Sequence, residues 1–252
     1  MNKIMNMAIV ILGLLLTYRL SFGEGLVEMK AEDVIRQMED RQVFDSAFVK
    51  GRMVINDRFG QKISTFDSWS LGTDNSLIEF TSVEEQGQKV LRSNDDIYIY
   101  YPDAEEVVRL TGSALRDGML GSDVSYEDMT GEKSLLNDYR VIHYELVPLD
   151  GLTTYKIELE ALRPSVAYQK QIIWINSQTY NGLLAHKFSL SGKLLKVEQV
   201  LETRVVGEYI FPVHSKIEDK LKNNTSTEFY IDEIEVNYPV KIDFFSLDQL
   251  TW

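Results

Sequence analysis

The 252-residue sequence contains no cysteine. The chain therefore has no disulfide bond, no thiolate ligand for a metal ion, no cysteine nucleophile and no cysteine that can carry a lipid anchor. Basic residues are also scarce, since 39 acidic residues outweigh 26 lysines and arginines and give a formal net charge of −13. Such a surface repels nucleic acid phosphates and anionic lipid headgroups, because binding either depends on Lys and Arg. We therefore expect no nucleic acid partner.

The motifs of common enzyme and cofactor classes are missing as well. His143, His186 and His214 are far apart in the sequence, whereas a zinc site usually contains at least one pair of ligands at short fixed spacing. The sequence contains no Gly-x-Ser-x-Gly elbow, no phosphate-binding loop and no dinucleotide fingerprint. We therefore predict that the protein is not an enzyme and that it has no catalytic residue, no metal site and no cofactor.

Acidic residues are the remaining candidates for chemistry. A glycosidase needs two carboxyl groups facing one cleft, but successive strand residues such as Asp95 and Asp96 point to opposite faces. Calcium is an alternative for Gly121-Ser122-Asp123 together with Glu127 and Asp128, although the spacing differs from the known loop pattern. The simpler interpretation is that these serine and aspartate side chains cap turns.

The N-terminus has the layout of a secretory signal peptide. Lys3 precedes an apolar run from Ala8 to Leu16, and Ser21-Phe22-Gly23 provides small residues before Glu24. The apolar run is short for a transmembrane helix, so we predict export and cleavage after Gly23; a retained membrane anchor is the alternative. Residues 1–23 are thus the predicted signal peptide, and residues 24–252 are predicted to form a single domain.

Hydrophobic periodicity predicts one long helix followed by a mainly β fold. Residues Leu26 to Arg41 show helical spacing of apolar side chains, and from Val43 to Tyr238 short alternating runs are separated by turn residues at intervals of roughly ten residues. We count about eleven strands in this part of the chain. The stretch from Thr111 to Lys133 breaks the pattern and predicts a long connection with a helical turn. Ser246 to Leu250 predict a second short helix, with Ser246 as its cap.

Two kinds of strand pattern are present. Tyr155, Ile157 and Leu159 alternate with charged residues, and Leu195, Val197 and Leu201 alternate in the same way with Lys196, Glu198 and Glu202; such strands are expected to turn their apolar side to a core and their charged side to water.

In contrast, residues 97–101 and 172–175 are apolar on both faces, so both faces must be covered by protein or by an apolar guest. This second pattern favours a cavity. Aromatic side chains on the predicted strands are the candidate cavity walls, although ordinary core packing is the alternative: Trp69, Phe80, Tyr98, Tyr100, Trp174 and Phe188.

Eight segments of the chain carry a resemblance to a known family: Asp96 to Pro102, Val107 to Leu110, Leu120 to Met129, Asp138-Tyr139, Tyr168 to Lys170, Ile173 to Ile175, Gly192 to Lys196 and Gly207 to Pro212. They resemble the LolA-like family of outer-membrane lipoprotein-sorting proteins, and the resemblance covers nearly all of the chain after the signal segment. It implies a mainly β, α+β fold: an unclosed antiparallel β half-barrel with a helical lid over a hydrophobic cavity for acyl chains.

The function implied by this resemblance is that of a periplasmic carrier or chaperone. Such carriers take lipoproteins from an inner-membrane transporter and pass them across the periplasm, so the expected partners are acyl chains of lipoproteins or other lipids and an inner-membrane exporter. The alternative is a non-catalytic envelope module that docks on an exporter complex. An enzyme is the third hypothesis and requires a polar cluster inside the cavity.

Overall fold

A computed structural model describes residues 29–41, 44–94, 96–129 and 134–251. The predicted signal peptide at residues 1–23 lies outside the described residues, as does Asp95. From Ala31 onward, the described residues form one compact unit. Within the described part of the chain, no helix has both the length and the apolar character needed to cross a membrane.

Helix α1 spans Ala31–Asp40 and has one apolar face. Val34, Ile35 and Met38 recur at helical spacing and are buried, while Glu32 and Asp33 place negative charge in the first turn, where the helix dipole favours it. The helix is shorter than predicted, because Met29 and Lys30 are not helical; residues 26–28 lie outside the described residues.

Thirteen strands are formed by the described residues, so the predicted number of about eleven was too low. Short strands of five or six residues between tight turns are hard to separate by periodicity. The strands are β1 (Ser46–Asp57), β2 (Gly60–Leu71), β3 (Asn75–Phe80), β4 (Lys89–Ser93), β5 (Asp96–Tyr101), β6 (Glu106–Leu110), β7 (Tyr139–Leu149), β8 (Leu152–Ala161), β9 (Lys170–Asn176), β10 (Gly182–Phe188), β11 (Leu194–Val206), β12 (Tyr209–Asp219) and β13 (Ser226–Val236).

All thirteen strands belong to one antiparallel sheet. Its order is β6-β5-β4-β3-β2-β1-β13-β12-β11-β10-β9-β8-β7, so chain neighbours pair as hairpins and β1 pairs with β13 in the middle. At one tip, Asp150 and Gly151 both have positive φ, as a tight two-residue hairpin turn requires. Strands β6 and β7 form the two ends of the sheet, and this unclosed arrangement confirms the predicted half-barrel.

The connection after β6 covers one face of the sheet, here called the inner face. It contains 3₁₀ turns at Gly112–Arg116 and Met119–Gly121 and helix α2 (Tyr126–Met129), as predicted for an irregular connection with a helical turn. Met119 and Tyr126 pack on inner-face side chains from five strands: Met53, Ile55, Phe66, Phe80, Val90, Ile97 and Ile99. Helix α3 (Leu135–Asp138) follows and leads into β7.

The C-terminal segment covers the other, outer face of the same strands. It forms 3₁₀ turns at Ile242–Phe245 and Leu247–Thr251, and its Phe245 and Leu250 are buried against Leu77 and Leu91. Alternate residues of β5 therefore pack against different segments, the connection after β6 on the inner face and the C-terminal segment on the outer face. This explains why residues 97–101 are apolar on both faces. Two segments of the protein itself, rather than a guest, cover this strand.

Candidate functional site

A cavity of about 690 Å³ lies on the inner face, between the two halves of the sheet. Its walls come from helix α1, from strands β2–β4, from strands β9–β12 and from residues of α2 and α3. A volume of this size falls within the range of about 300–1,000 Å³ that is usual for small-ligand sites. The cavity is the candidate functional site.

One wall of the cavity is largely apolar. Ile173 of β9 pairs with Ala185 of β10, and Ile217 of β12 lies on the same face beyond Glu198 of β11, which pairs with both Ala185 and Ile217 and interrupts the apolar surface. Met38 of α1 lines the same cavity. This wall can bury hydrocarbon, which the hydrophobic effect favours.

A second wall is made of hydrogen-bond donors. Ser70 of β2 pairs with Ser76 of β3, and Ser76 pairs with Arg92 of β4, so the three side chains form a row on the inner face. The Nε of Arg92 donates to the carbonyl oxygen of Asn94 at 3.1 Å, and its Nη1 donates to that of Met129 at 3.0 Å. The row Ser70, Ser76 and Arg92 is called the donor row below.

An ionic cluster lies at another side of the cavity. Lys187 of β10 and Lys196 of β11 are directly opposite each other, which is unfavourable for like charges unless they are compensated. Asp128 of α2 compensates them: it accepts a hydrogen bond from Lys196, and one of its oxygens is 3.9 Å from the Nζ of Lys187. Lys187 is also 2.5 Å from Glu198. Tyr168 donates from its hydroxyl to Asp128 at 2.8 Å.

The protonation equilibria of this cluster favour its charged form. Burial alone would raise the pKa of Asp128, but the charges of Lys187 and Lys196 and the hydrogen bonds from Lys196 and Ser125 outweigh burial and hold that pKa below its usual value. Burial alone would lower the pKa of Lys187, but Glu198 and Asp128 reverse this and raise it. Burial and the neighbouring Asp128 raise the pKa of Tyr168, which stays a neutral donor. Two ammonium and two carboxylate groups therefore balance each other.

Glu39 joins helix α1 to helix α3 at the cavity edge. Its carboxylate accepts hydrogen bonds from the hydroxyl of Ser134 at 2.9 Å and from the backbone N–H of Leu135 at 2.7 Å. Leu135 lines the cavity as well. One side chain thus ties together the two helices that border the cavity.

Four of the six aromatic residues named from the sequence are packed under the covering segments. Trp69, Tyr98 and Tyr100 lie on the outer face against the core below the C-terminal segment, and Phe80 is buried on the inner face below Met119 and Tyr126. None of these four is among the described residues that line the cavity.

Trp174 of β9 and Phe188 of β10 also lie away from the cavity. Their rings are near His186, with ring centroids 4.9 Å and 6.3 Å from the imidazole, and His186 is on the outer face because its neighbour Lys187 is on the inner one. Contact of the six aromatics with a ligand stays a prediction, and the cavity found here is built from a different set of residues.

The sequence interpretation of β11 was wrong about which side faces water. Lys196 is buried at 5% exposure and Glu198 lines the cavity, whereas Leu201 is 44% exposed. The reason is that the inner face supplies partners for the charges, so the polar side of this strand is the interior one. Two lysines opposite each other on paired strands indicate that acidic partners lie nearby. The sequence alone does not show this, because the pairing of the strands has to be known first.

The acidic residues considered for calcium do not converge. Asp123 accepts a hydrogen bond from the hydroxyl of Thr225 at 2.8 Å and is 3.4 Å from the Nζ of Lys222, whereas Asp128 binds the lysines of the ionic cluster. Among the described residues, no three His, Asp or Glu side chains are close enough to hold a metal ion.

Solved structures with the same fold show its class. A domain from Vibrio parahaemolyticus, described as an outer membrane lipoprotein-sorting protein domain, superposes with a TM-score of 0.79 at 18% identity, over 87% of this chain and 97% of that one. A DUF1329 family protein from Desulfovibrio piger gives 0.80 at 20% identity, with the same two coverages. A LolA superfamily protein from Nitrosomonas europaea gives 0.72 at 21% identity, covering 88% and 99%. The chain therefore has the fold that these three structures share, which confirms the LolA-like fold that the sequence resemblance predicted.

The family follows from the sequence itself. A family model whose description reads "Uncharacterized protein" matches residues 72–252, well over half of the chain, and the chain belongs to this family. A search of curated proteins found no match.

Proposed function

We propose that this protein is a periplasmic carrier that binds acyl chains of lipoproteins or other lipids inside the half-barrel and moves them toward the outer membrane. The observation that carries the proposal is the cavity of about 690 Å³ with an apolar wall on the inner face. The shared fold of lipoprotein-sorting domains supports it. The carrier performs no catalysis and needs no cofactor, since its task is binding, transfer and release.

Burial of hydrocarbon supplies the binding free energy. Each methylene group removed from water contributes about 0.8 kcal/mol, so part of one acyl chain suffices for useful affinity after the cost of association is subtracted. Helix α1 and the connection containing α2 border the cavity, and a shift of these covering elements releases the cargo. An inner-membrane exporter as donor, and export by the N-terminal signal segment, belong to the same proposal.

The test is mass spectrometry of lipids that co-purify with the protein, paired with a cavity-filling variant. Ala185→Phe adds a large side chain to the apolar wall, and Ala104→Phe makes the same change at an exposed turn. We expect lipid in the wild type and in Ala104→Phe, and a clear loss in Ala185→Phe. Repeated recovery of lipid-free wild-type protein that also fails to bind added fatty acid would rule out the carrier.

A docking module is the second candidate function. β7 is an edge strand of the sheet and carries exposed apolar side chains: Ile142 and Leu146 are 47% and 59% exposed, and the nearby Leu152 is 45% exposed. An unpaired sheet edge with apolar side chains can accept a partner. Crosslinking in cells from this strand separates the candidates. A docking module gives one dominant protein adduct and binds no lipid, whereas a carrier binds lipid whether or not an adduct forms.

A further inference from the structure

Among the described residues, not all charges that line the cavity have counter-charges. Asp128 and Glu198 are bonded to lysines. Glu39, at the cavity edge beside α3, has no cation partner in the described part of the chain and accepts hydrogen bonds from Ser134 and Leu135. The guanidinium of Arg92 donates only to two backbone carbonyl groups and has no carboxylate partner among the described residues. A half-buried cation without a counter-ion is unfavourable, so an anion at this place would be stabilised.

The surroundings of Arg92 suit an oxyanion. A guanidinium has five N–H donors in a planar fork, and the two carbonyl groups leave the remainder of this fork for a ligand. The hydroxyls of Ser76 and Ser70 extend the donor row across the neighbouring strands, where directly paired side chains are about 5 Å apart. Carboxylate and phosphate groups match such a set of donors.

The other cations of the cavity are less suited to this task. Lys187 and Lys196 are balanced by Asp128 and Glu198 in the ionic cluster, and the Nζ of Lys216 is 3.4 Å from Glu218. The cluster as a whole is neutral and does not select the charge of a ligand. Selection of a ligand by its charge therefore depends on Arg92, whose positive charge is opposite in sign to the net charge of the protein.

We infer that the donor row binds the anionic head group of an amphiphile, a carboxylate or a phosphate, while its alkyl chain lies along the apolar wall of Ile173, Ala185 and Ile217. The inference rests on the proposed carrier function and adds the class of cargo that the cavity prefers. An amphiphile fits better than a free anion, because the same cavity joins the donor row to apolar side chains that an alkyl chain can contact.

The experiment compares ligands that share one alkyl chain and differ in head group. Laurate, lauryl phosphate, neutral monolauroylglycerol and lauryltrimethylammonium are titrated, below their critical micelle concentrations, against a fluorescent apolar probe bound to the full chain; inorganic phosphate alone is a further arm. We expect the wild type to bind the two anionic ligands about tenfold more tightly than the neutral one, the effect of one charge-assisted hydrogen bond. This preference falls with added salt.

Two variants assign the preference to the donor row. Arg92→Gln removes the charge and keeps hydrogen-bond donors, so the preference should disappear while the neutral ligand binds as before. Arg109→Gln is the matched control, since Arg109 pairs with Tyr98 on the outer face and bonds to Asp96. If Arg92→Gln does not fold, two other measurements test the role of Arg92. Arg92→Lys keeps the charge and should keep the preference for anionic ligands, and in the wild type this preference should fall with added salt.

The possible results separate the two proposals. Equal affinity for anionic and neutral ligands, or a preference for the cationic ligand, overturns the head-group site and leaves the carrier function standing. Displacement by inorganic phosphate as strong as by lauryl phosphate means that the alkyl chain adds no affinity, and it overturns the binding of an amphiphile. Failure of all lauryl ligands to bind overturns both. If the preference for anions is the same in Arg92→Gln as in the wild type, the assignment of the head-group site to the donor row is overturned.

Discussion

The sulfur of Met38 lies 3.4 Å from the place that a β-carbon on Gly182 would occupy. The glycine at the start of β10 thus lets helix α1 lie close to the sheet beside the cavity, since both residues line it. A side chain of one carbon meets only the flexible end of the methionine, whereas a branched side chain of four carbons collides with the helix.

The first prediction concerns this contact. Gly182→Leu should destabilise the fold by about 1–3 kcal/mol, because overpacking forces side chains and backbone to shift. Gly182→Ala is the matched control and should remain within about 0.5 kcal/mol of the wild type, as is usual for mild substitutions. Urea unfolding followed by tryptophan fluorescence gives both values. Equal stability of the leucine and alanine variants would mean that α1 does not lie close to β10.

The second prediction concerns the pH dependence of the ionic cluster. The pKa of Asp128 is lowered in the folded protein from its usual value of 3.8, so the stability it contributes is fully present above that value and is lost as the pH falls through the folded pKa. The groups facing Asp128 are Lys187, Lys196, Tyr168 and its own neighbour Ser125, with Glu198 beyond Lys187. The stability difference between the wild type and Asp128→Asn should therefore be largest near neutral pH and shrink in acid.

Urea unfolding at a series of pH values checks this expectation. Asp117→Asn is the control, because Asp117 is an exposed carboxylate in the same connection; its difference from the wild type should be small at every pH. A difference for Asp128→Asn that is constant from neutral pH to acid would contradict the charged state assigned to the cluster.

The third prediction concerns the attachment of the connection to β13. The buried hydroxyl of Thr227 accepts a hydrogen bond from the backbone N–H of Asp123 at 2.9 Å. Thr227→Val keeps the shape of the side chain and leaves this N–H unpaired, which should cost about 1–3 kcal/mol of stability. The exposed Thr153 of β8 provides the control Thr153→Val. Thermal unfolding should rank Thr227→Val clearly below it; the reverse order would mean that this bond does not hold the connection.

Much of the fold was predictable because local patterns agree with the global arrangement. The alternation at Ile157 and Leu159 of β8 correctly marks the side that is buried, since helix α1 contacts this strand. Pro212 lies near the place where the register of β11 against β12 shifts, as is usual for a proline inside a strand. The unclosed sheet follows from many hairpins in a row and from the resemblance to the LolA-like family.

The site itself was much less predictable. The cavity is lined by small and charged residues such as Ser76, Ala185 and Lys187, which carry no distinctive local signal. Doubly apolar runs directed attention to Tyr98 and Tyr100, but their second apolar face meets the C-terminal segment. Periodicity tells which residues share a face, and only the pairing of distant strands tells what that face meets.

The pairing of β1 with β13 has a consequence for how the protein acquires its structure. Ala47 is opposite Val236, so the centre of the sheet joins residues from opposite ends of the sequence. Hairpins within each half can form early from local contacts, whereas this seam has to wait for late, long-range contacts. The donor row and the apolar wall belong to different halves, so we expect the binding compartment to be complete only after β13 has paired with β1.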